Sequence, residues 1–125
     1  MTRRAHGKSF AGTWENSGGA AKAGENSRQA IARELFEETG IQAEESEFEL
    51  ICSDKDTHTW YDFYCLQRKV PLEQIKLLPG ETDDVQWATF AQVHELIRKR
   101  QICYIIANQF IRQEPYLKTK QIAQE

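Results

Sequence analysis

Three glutamates, Glu34, Glu37 and Glu38, crowd a short stretch of the chain, and a pair of glycines, Gly18 and Gly19, precedes them. At about 100° per residue of helix, Ile31, Ala32, Leu35, Phe36 and Thr39 fall on one broad side and the three carboxylates on the other. Glu34 and Glu38 are then like charges one turn apart, a pairing that costs roughly 0.2 to 0.5 kcal/mol on an ordinary surface. A hard divalent cation such as Mg²⁺ or Mn²⁺ turns that cost into a preference, because it gathers several oxygen ligands around a small volume. The plainer alternative is a solvated acidic face with Arg33 pairing locally, since Glu is a good helix former. The glycines shift the balance toward a site: without Cβ atoms, their backbone can approach the same cation, or a diphosphate, closely. Glu25 near the start of the helix and Arg33 beside the cluster are placed to organise such a cleft.

The carboxylates need a helix to carry them. Asn26 or Ser27 offers a polar N-cap and Gly40 a stop, so the sequence predicts a helix ending at Thr39. Residues 10–14 read as a short extended piece leading into Ser17-Gly18-Gly19. Residues 45–51 and 59–66 read as strands, the second rich in aromatics (Trp60, Tyr61, Phe63, Tyr64), with a turn at residues 53–56. Pro79-Gly80 marks a further turn before a short strand that directs Val85 and Trp87 to one side. Thr89 and Gln92 form a capping-box pair ahead of a helix with Val93, Leu96 and Ile97 on its apolar stripe. A last helix is expected over residues 101–112, with Pro115 limiting its end. Residues 1–8 read as a polar, basic tail.

At 125 residues, 40% hydrophobic and 28% charged, the chain suits one folded domain spanning residues 1–125. Its net charge of −3 gives no general attraction to nucleic-acid polymers. Its apolar runs fall far short of the roughly 20 residues that span a bilayer, and the start, Met1-Thr2-Arg3-Arg4, does not read as a signal peptide. No membrane association is expected. Cys52, Cys65 and Cys103 are odd in number and dispersed, which suits a reducing, cytoplasmic setting better than a disulfide framework. His6, His58 and His94 lack zinc-ligand spacing.

From Gly19 to Ile41 the chain resembles the signature of the Nudix hydrolases at every defining position. Gly19, Glu25, Arg33-Glu34-Leu35, Glu37-Glu38, Gly40 and Ile41 all stand at the required spacing. The resemblance implies an α/β fold, an α/β/α sandwich with a mixed β-sheet, in which the signature forms loop, helix and loop. It also implies Mg²⁺- or Mn²⁺-dependent hydrolysis of a small-molecule diphosphate, nucleoside-linked or otherwise organic. Carried over by position, Glu34 and Glu38 become metal ligands and Glu37 a third ligand or a water-orienting carboxylate. The Gly18 carbonyl is a further ligand candidate. Arg33 holds a carboxylate in place, and Glu25 assists the site. Some relatives take the catalytic base from outside the signature, where Glu81 is the nearest candidate.

Two departures from the family pattern bear on function. Ser17 stands where many relatives have proline. The segment before Arg3-Arg4-Ala5 is also short, so the resemblance implies an N-terminally shortened sheet with one wall of the cleft reduced. That shortening predicts a homodimer, or a borrowed segment, covering an exposed sheet edge. It also keeps open a non-catalytic ligand-binding or protein-interaction module that retains the signature helix. Diphosphate isomerisation is weaker, because no cysteine sits in the local motif that chemistry uses. Trp60, Tyr61 and Phe63 are candidates for stacking against a base, although an aromatic strand more often serves a core. Arg3, Arg4 and Lys8 are candidates for phosphate contacts.

Overall fold

The computed structural model describes residues 1–55 and 57–124, with side chains described as far as residue 120. Its elements run β1 (Thr2–Arg4), β2 (Trp14–Glu15), α1 (Ser27–Thr39), β3 (Glu49–Lys55), β4 (Trp60–Cys65), β5 (Thr82–Val85), α2 (Phe90–Arg98) and α3 (Tyr104–Gln124). The result is a mixed α/β fold with a multi-stranded sheet. One sheet has the order β2-β1-β5 and the other is the β3-β4 hairpin. The expectation of a single mixed sheet is met only in part. All pairings between these strands are antiparallel, and the parallel contact is an isolated bridge from Trp14 to Ile102.

The basic start of the chain is not a loose tail. Thr2–Arg4 is the central strand of the three-stranded sheet, and its cations meet carboxylates. Arg3 donates to Asp83 at 2.7 Å, Arg4 to Glu15 at 3.1 Å, and Lys8 pairs with Glu81. Each cation expected to be free for phosphates therefore has a partner within the fold. The extended piece expected at residues 10–14 shrinks to Trp14–Glu15. Phe10 and Gly12 take positive φ angles of 55° and 77°, which reverse the chain. Gly12 then donates to the Arg4 carbonyl, and Arg4 to the Thr13 carbonyl, each at 2.9 Å.

Capping sets both ends of α1. The Asn26 side chain accepts from the Gln29 amide at 2.8 Å, and the Gln29 side chain accepts from the Asn26 amide at 2.9 Å. Gly40 closes the helix at φ 75°, a left-handed angle that glycine adopts without Cβ strain. The N-terminal end is anchored to β4, where the Ser27 hydroxyl meets Asp62 at 2.6 Å and the Tyr64 hydroxyl at 2.7 Å. At the other end the Lys76 amide donates to the Thr39 carbonyl at 2.8 Å. The carboxylate helix is thus fixed at both ends.

The core gathers Val93, Ile102 and Ala107, flanked by Trp14, Leu96 and Phe110. Thr89 and Gln92 form the expected capping box of α2. Two sequence expectations shift. Residues 45–47 form a 3-10 turn, and β3 begins at Glu49 and runs through Ser53–Lys55, where a turn was expected. Pairing with β4 extends to Lys55↔Trp60, so the ladder overrides the local turn preference, and Asp56 lies outside the described residues. Pro115 sits inside α3 and does not end it. The helix loses one amide donor there, but an ion pair from Lys118 to Glu114 at 3.2 Å spans the position, and Lys120 ties the following turn to Glu49 of β3 at 2.6 Å.

Candidate carboxylate centre

The site lies where α1 faces the loop after β2. Arg33 is its organiser. Its Nε and Nη2 donate to the two oxygens of Glu25 at 2.8 and 2.9 Å, and its Nη1 to Glu34 at 2.9 Å and Glu37 at 3.2 Å. Nη2 also donates to the Ala20 carbonyl at 3.2 Å, tying the loop to the helix. The fork geometry of a guanidinium suits this, since it offers five donors in one plane. The paired hydrogen bonds from Arg33, helped by the Lys22 amide, hold the Glu25 carboxyl down at about 2. The Arg33 pKa is raised in turn, chiefly by Glu25 and then by Glu34.

Glu38 faces a different environment. Burial pushes its carboxyl up to about 7, and the charges of Glu15 and Glu34 push the same way. Ser17 and the Gly18 backbone offset part of the shift. Its Oε2 is buried without a hydrogen-bond partner, an arrangement whose cost is ordinarily avoided unless something else completes it. Gly19 packs against Glu34 so tightly that a Cβ there would lie 2.4 Å from the carboxyl carbon, whereas a Cβ on Gly18 would meet nothing within 4 Å. The two glycines therefore differ: a side chain at Gly19 would displace the Glu34 carboxylate, whereas one at Gly18 would meet open space, and the Gly18 carbonyl is left as the part that can contribute chemistry.

The sequence-derived residues divide accordingly. Glu25, Arg33, Glu34 and Glu37 form one bonded network, and Glu38 is linked to it through the charge of Glu34. Glu81 belongs elsewhere, with its carboxylate on Lys8 and its carbonyl accepting from the Ala5 amide at 3.1 Å. Glu15 was missed by sequence reasoning. It acts on Glu38, and its own carboxylate pairs with Arg4. Its position immediately before Asn16-Ser17-Gly18 was the available signal, but a carboxylate in a two-residue strand carries no motif.

The donors suit a hard divalent cation in kind, being all oxygen, and the unpartnered Oε2 of Glu38 is an atom such an ion would satisfy. The arrangement is nevertheless not that of an assembled ligand set. Among the described residues, no three His, Cys, Asp or Glu side chains are gathered closely enough to hold a metal ion. Glu25, Glu34 and Glu37 are instead engaged by Arg33.

A cleft of about 290 Å³ opens beside the loop. It reaches from Asn16 and Ser17 across the apolar side of α1 to Trp87. No match was found among curated proteins. The family profile described as the NUDIX domain matches residues 1–106.

Proposed function

This chain belongs to the NUDIX domain family, whose profile covers most of its length, and on that premise we propose that it is a Mg²⁺- or Mn²⁺-dependent pyrophosphohydrolase acting on a nucleoside-linked or other organic diphosphate. The observation that carries the proposal is the buried, unpartnered Oε2 of Glu38 beside the glycine loop, with Glu34 pressed against Gly19. Glu34, Glu37, Glu38 and the Gly18 carbonyl would hold the cation, with Glu15 supplying further negative charge. When bound, the cation supplies charge neutralisation for the phosphates and a more acidic water. The carboxyl near 7 is that of Glu38 without the cation; a bound divalent ion favours the ionised form and would hold it as a ligand. Arg33 positions Glu34 and Glu37, while Glu25 occupies two of its donors and fixes the guanidinium in place. Glu81 is kept as a candidate base outside the helix, reached only if Lys8 releases it. The sandwich architecture, a single domain over residues 1–125, and a cytoplasmic setting compatible with three free thiols belong to the same proposal, as does a homodimer.

A panel of organic diphosphates assayed with Mg²⁺ or Mn²⁺ tests the enzyme directly. Turnover that vanishes with a chelator and returns with the metal is expected. Glu38→Gln and Glu34→Gln are expected to lower it by roughly 100-fold or more, the scale on which losing a group that stabilises developing charge is felt. Wild-type turnover and metal dependence in both folded variants would overturn the assignment. A second reading, a non-catalytic binding module, draws on the same geometry: among the described residues no three His, Cys, Asp or Glu side chains are gathered to hold a metal ion, while Arg33 already engages Glu34 and Glu37. Metal binding by titration without turnover on any diphosphate would decide for the module.

A further inference from the structure

The cleft beside the carboxylate centre has a composition of its own. Ile31 and Leu35 of α1 line it, with Phe48, Tyr64, Val85 and Trp87, so apolar side chains surround most of the space. Its polar groups include Gln86 beside Trp87 and the Tyr64 hydroxyl, which meets Ser27 at 2.7 Å. Asn16 and Ser17 lie at the end next to Gly18 and the carboxylates. Arg68 and Thr39 are already engaged: Arg68 pairs with Glu47 and the Gln42 carbonyl, and the Thr39 hydroxyl donates to the Leu35 carbonyl at 2.6 Å. Thr2 is the exception. Its side chain is 2% exposed, borders the cleft, and leaves Oγ1 without a partner.

Trp87 forms the outer rim. Its ring is 57% exposed yet pinned, because Nε1–H donates to the Val70 carbonyl at 2.8 Å. A fixed, open aromatic face beside an apolar cleft offers burial to a ligand at little cost in side-chain ordering. A polar ring system with several hydrogen-bonding edge groups would lose water on entering, and each group left unpaired costs binding. Arg68, Thr39 and the Tyr64 hydroxyl are engaged, so Asn16, Ser17, Gln86 and Thr2 are the side chains left to replace that water, in a space otherwise walled by apolar groups. A hydrocarbon group loses nothing of the kind.

Resting on the proposed hydrolase site, we infer that this cleft receives a predominantly hydrocarbon group carried by the diphosphate, which packs against the exposed face of Trp87. The substrate class is then an amphiphilic organic diphosphate, its charged end at the Ser17–Gly19 loop and its apolar end toward Trp87. Trp87 and Ile31 act as specificity determinants and have no part in the chemistry.

Calorimetry with probes that resist hydrolysis tests the inference without requiring turnover. Octyl methylenebisphosphonate, α,β-methylene-ADP and methylenebisphosphonate itself would be compared in the presence of Mg²⁺. The octyl compound is expected to bind at least about tenfold more tightly than either of the others, a margin that two buried methylenes already supply. Trp87→Ala is expected to cut the octyl-to-methylenebisphosphonate affinity ratio by roughly tenfold and Trp87→Phe by no more than about threefold. Ile31→Trp, which fills the cleft from α1, provides an independent variant expected to abolish the preference. A nucleotide probe that binds as tightly as the octyl probe, or a ratio untouched in folded Trp87→Ala and Ile31→Trp, would sink the inference. Hydrolysis of organic diphosphates without an octyl preference would overturn the cleft assignment alone. An octyl preference in a protein that hydrolyses nothing would support the cleft and overturn only the hydrolase proposal.

Discussion

Glu38 and Gly19 carry the sharpest residue-scale consequences. In the folded chain the Glu38 carboxyl keeps its proton up to about pH 7, against an ordinary value of 4.5. Between those values the native state binds more protons than the unfolded chain, so stability falls as pH rises through the window and levels off above it. The partial exposure of the group reduces the effect to something on the order of 2 kcal/mol. Melting of the metal-free protein should therefore shift downward from pH 5 to pH 8, and Glu38→Gln should flatten that dependence. An unchanged slope in the variant would show that another group sets it. Gly19→Ala places a methyl into the Glu34 carboxylate and should depress turnover by about tenfold or more through displaced geometry. Gly18→Ala keeps the carbonyl and meets open space, so it should stay within about twofold of wild type. Equal activity in the two alanine variants would contradict the contact between Gly19 and Glu34.

At the scale of elements, α1 works as a rigid bar that presents its carboxylates because both ends are tied. Its start was legible in the polar pair Asn26-Ser27, and the structure selects Asn26 as the cap, with Gln29 as its reciprocal partner. Asn26→Ala should cost about 1 kcal/mol of stability, measured by urea denaturation, as the loss of an N-cap usually does. No change in the midpoint would mean that the ties from Ser27 to Asp62 and Tyr64 alone hold the helix end. The extent of α3 was not legible, because Pro115 argues locally for a stop. The ion pair from Lys120 to Glu49 on β3 is a tertiary contact that a local pattern does not display. The same holds for Arg3 and Lys8, whose partners Asp83 and Glu81 lie far along the chain.

For the whole molecule, the strands form one three-stranded and one two-stranded sheet, and α3 exposes Tyr104, Ile111 and Tyr116. Unpaired strand edges and open apolar surface favour association with a second copy. Sedimentation velocity across a concentration series is expected to show a dimer at micromolar protein, whereas a single monomeric species at all concentrations would count against it. Among the described residues no helix is long and apolar enough to cross a membrane.

The signature and its helix were determined by the sequence alone, since capping, helical periodicity and the spacing from Gly19 to Ile41 are properties of neighbouring residues. Which carboxylate is buried, which glycine lies against a carboxylate and which cations are already paired were decided by tertiary structure. Those properties depend on what the fold brings against each side chain: Ser17 and Glu15 near Glu38, Glu34 against Gly19, Asp83 beside Arg3. The cleft is of the same kind, because its walls come from β1, α1, β4 and the end of β5. A cavity bounded by segments that distant is set by packing, and local sequence patterns carry no information about the space left between them.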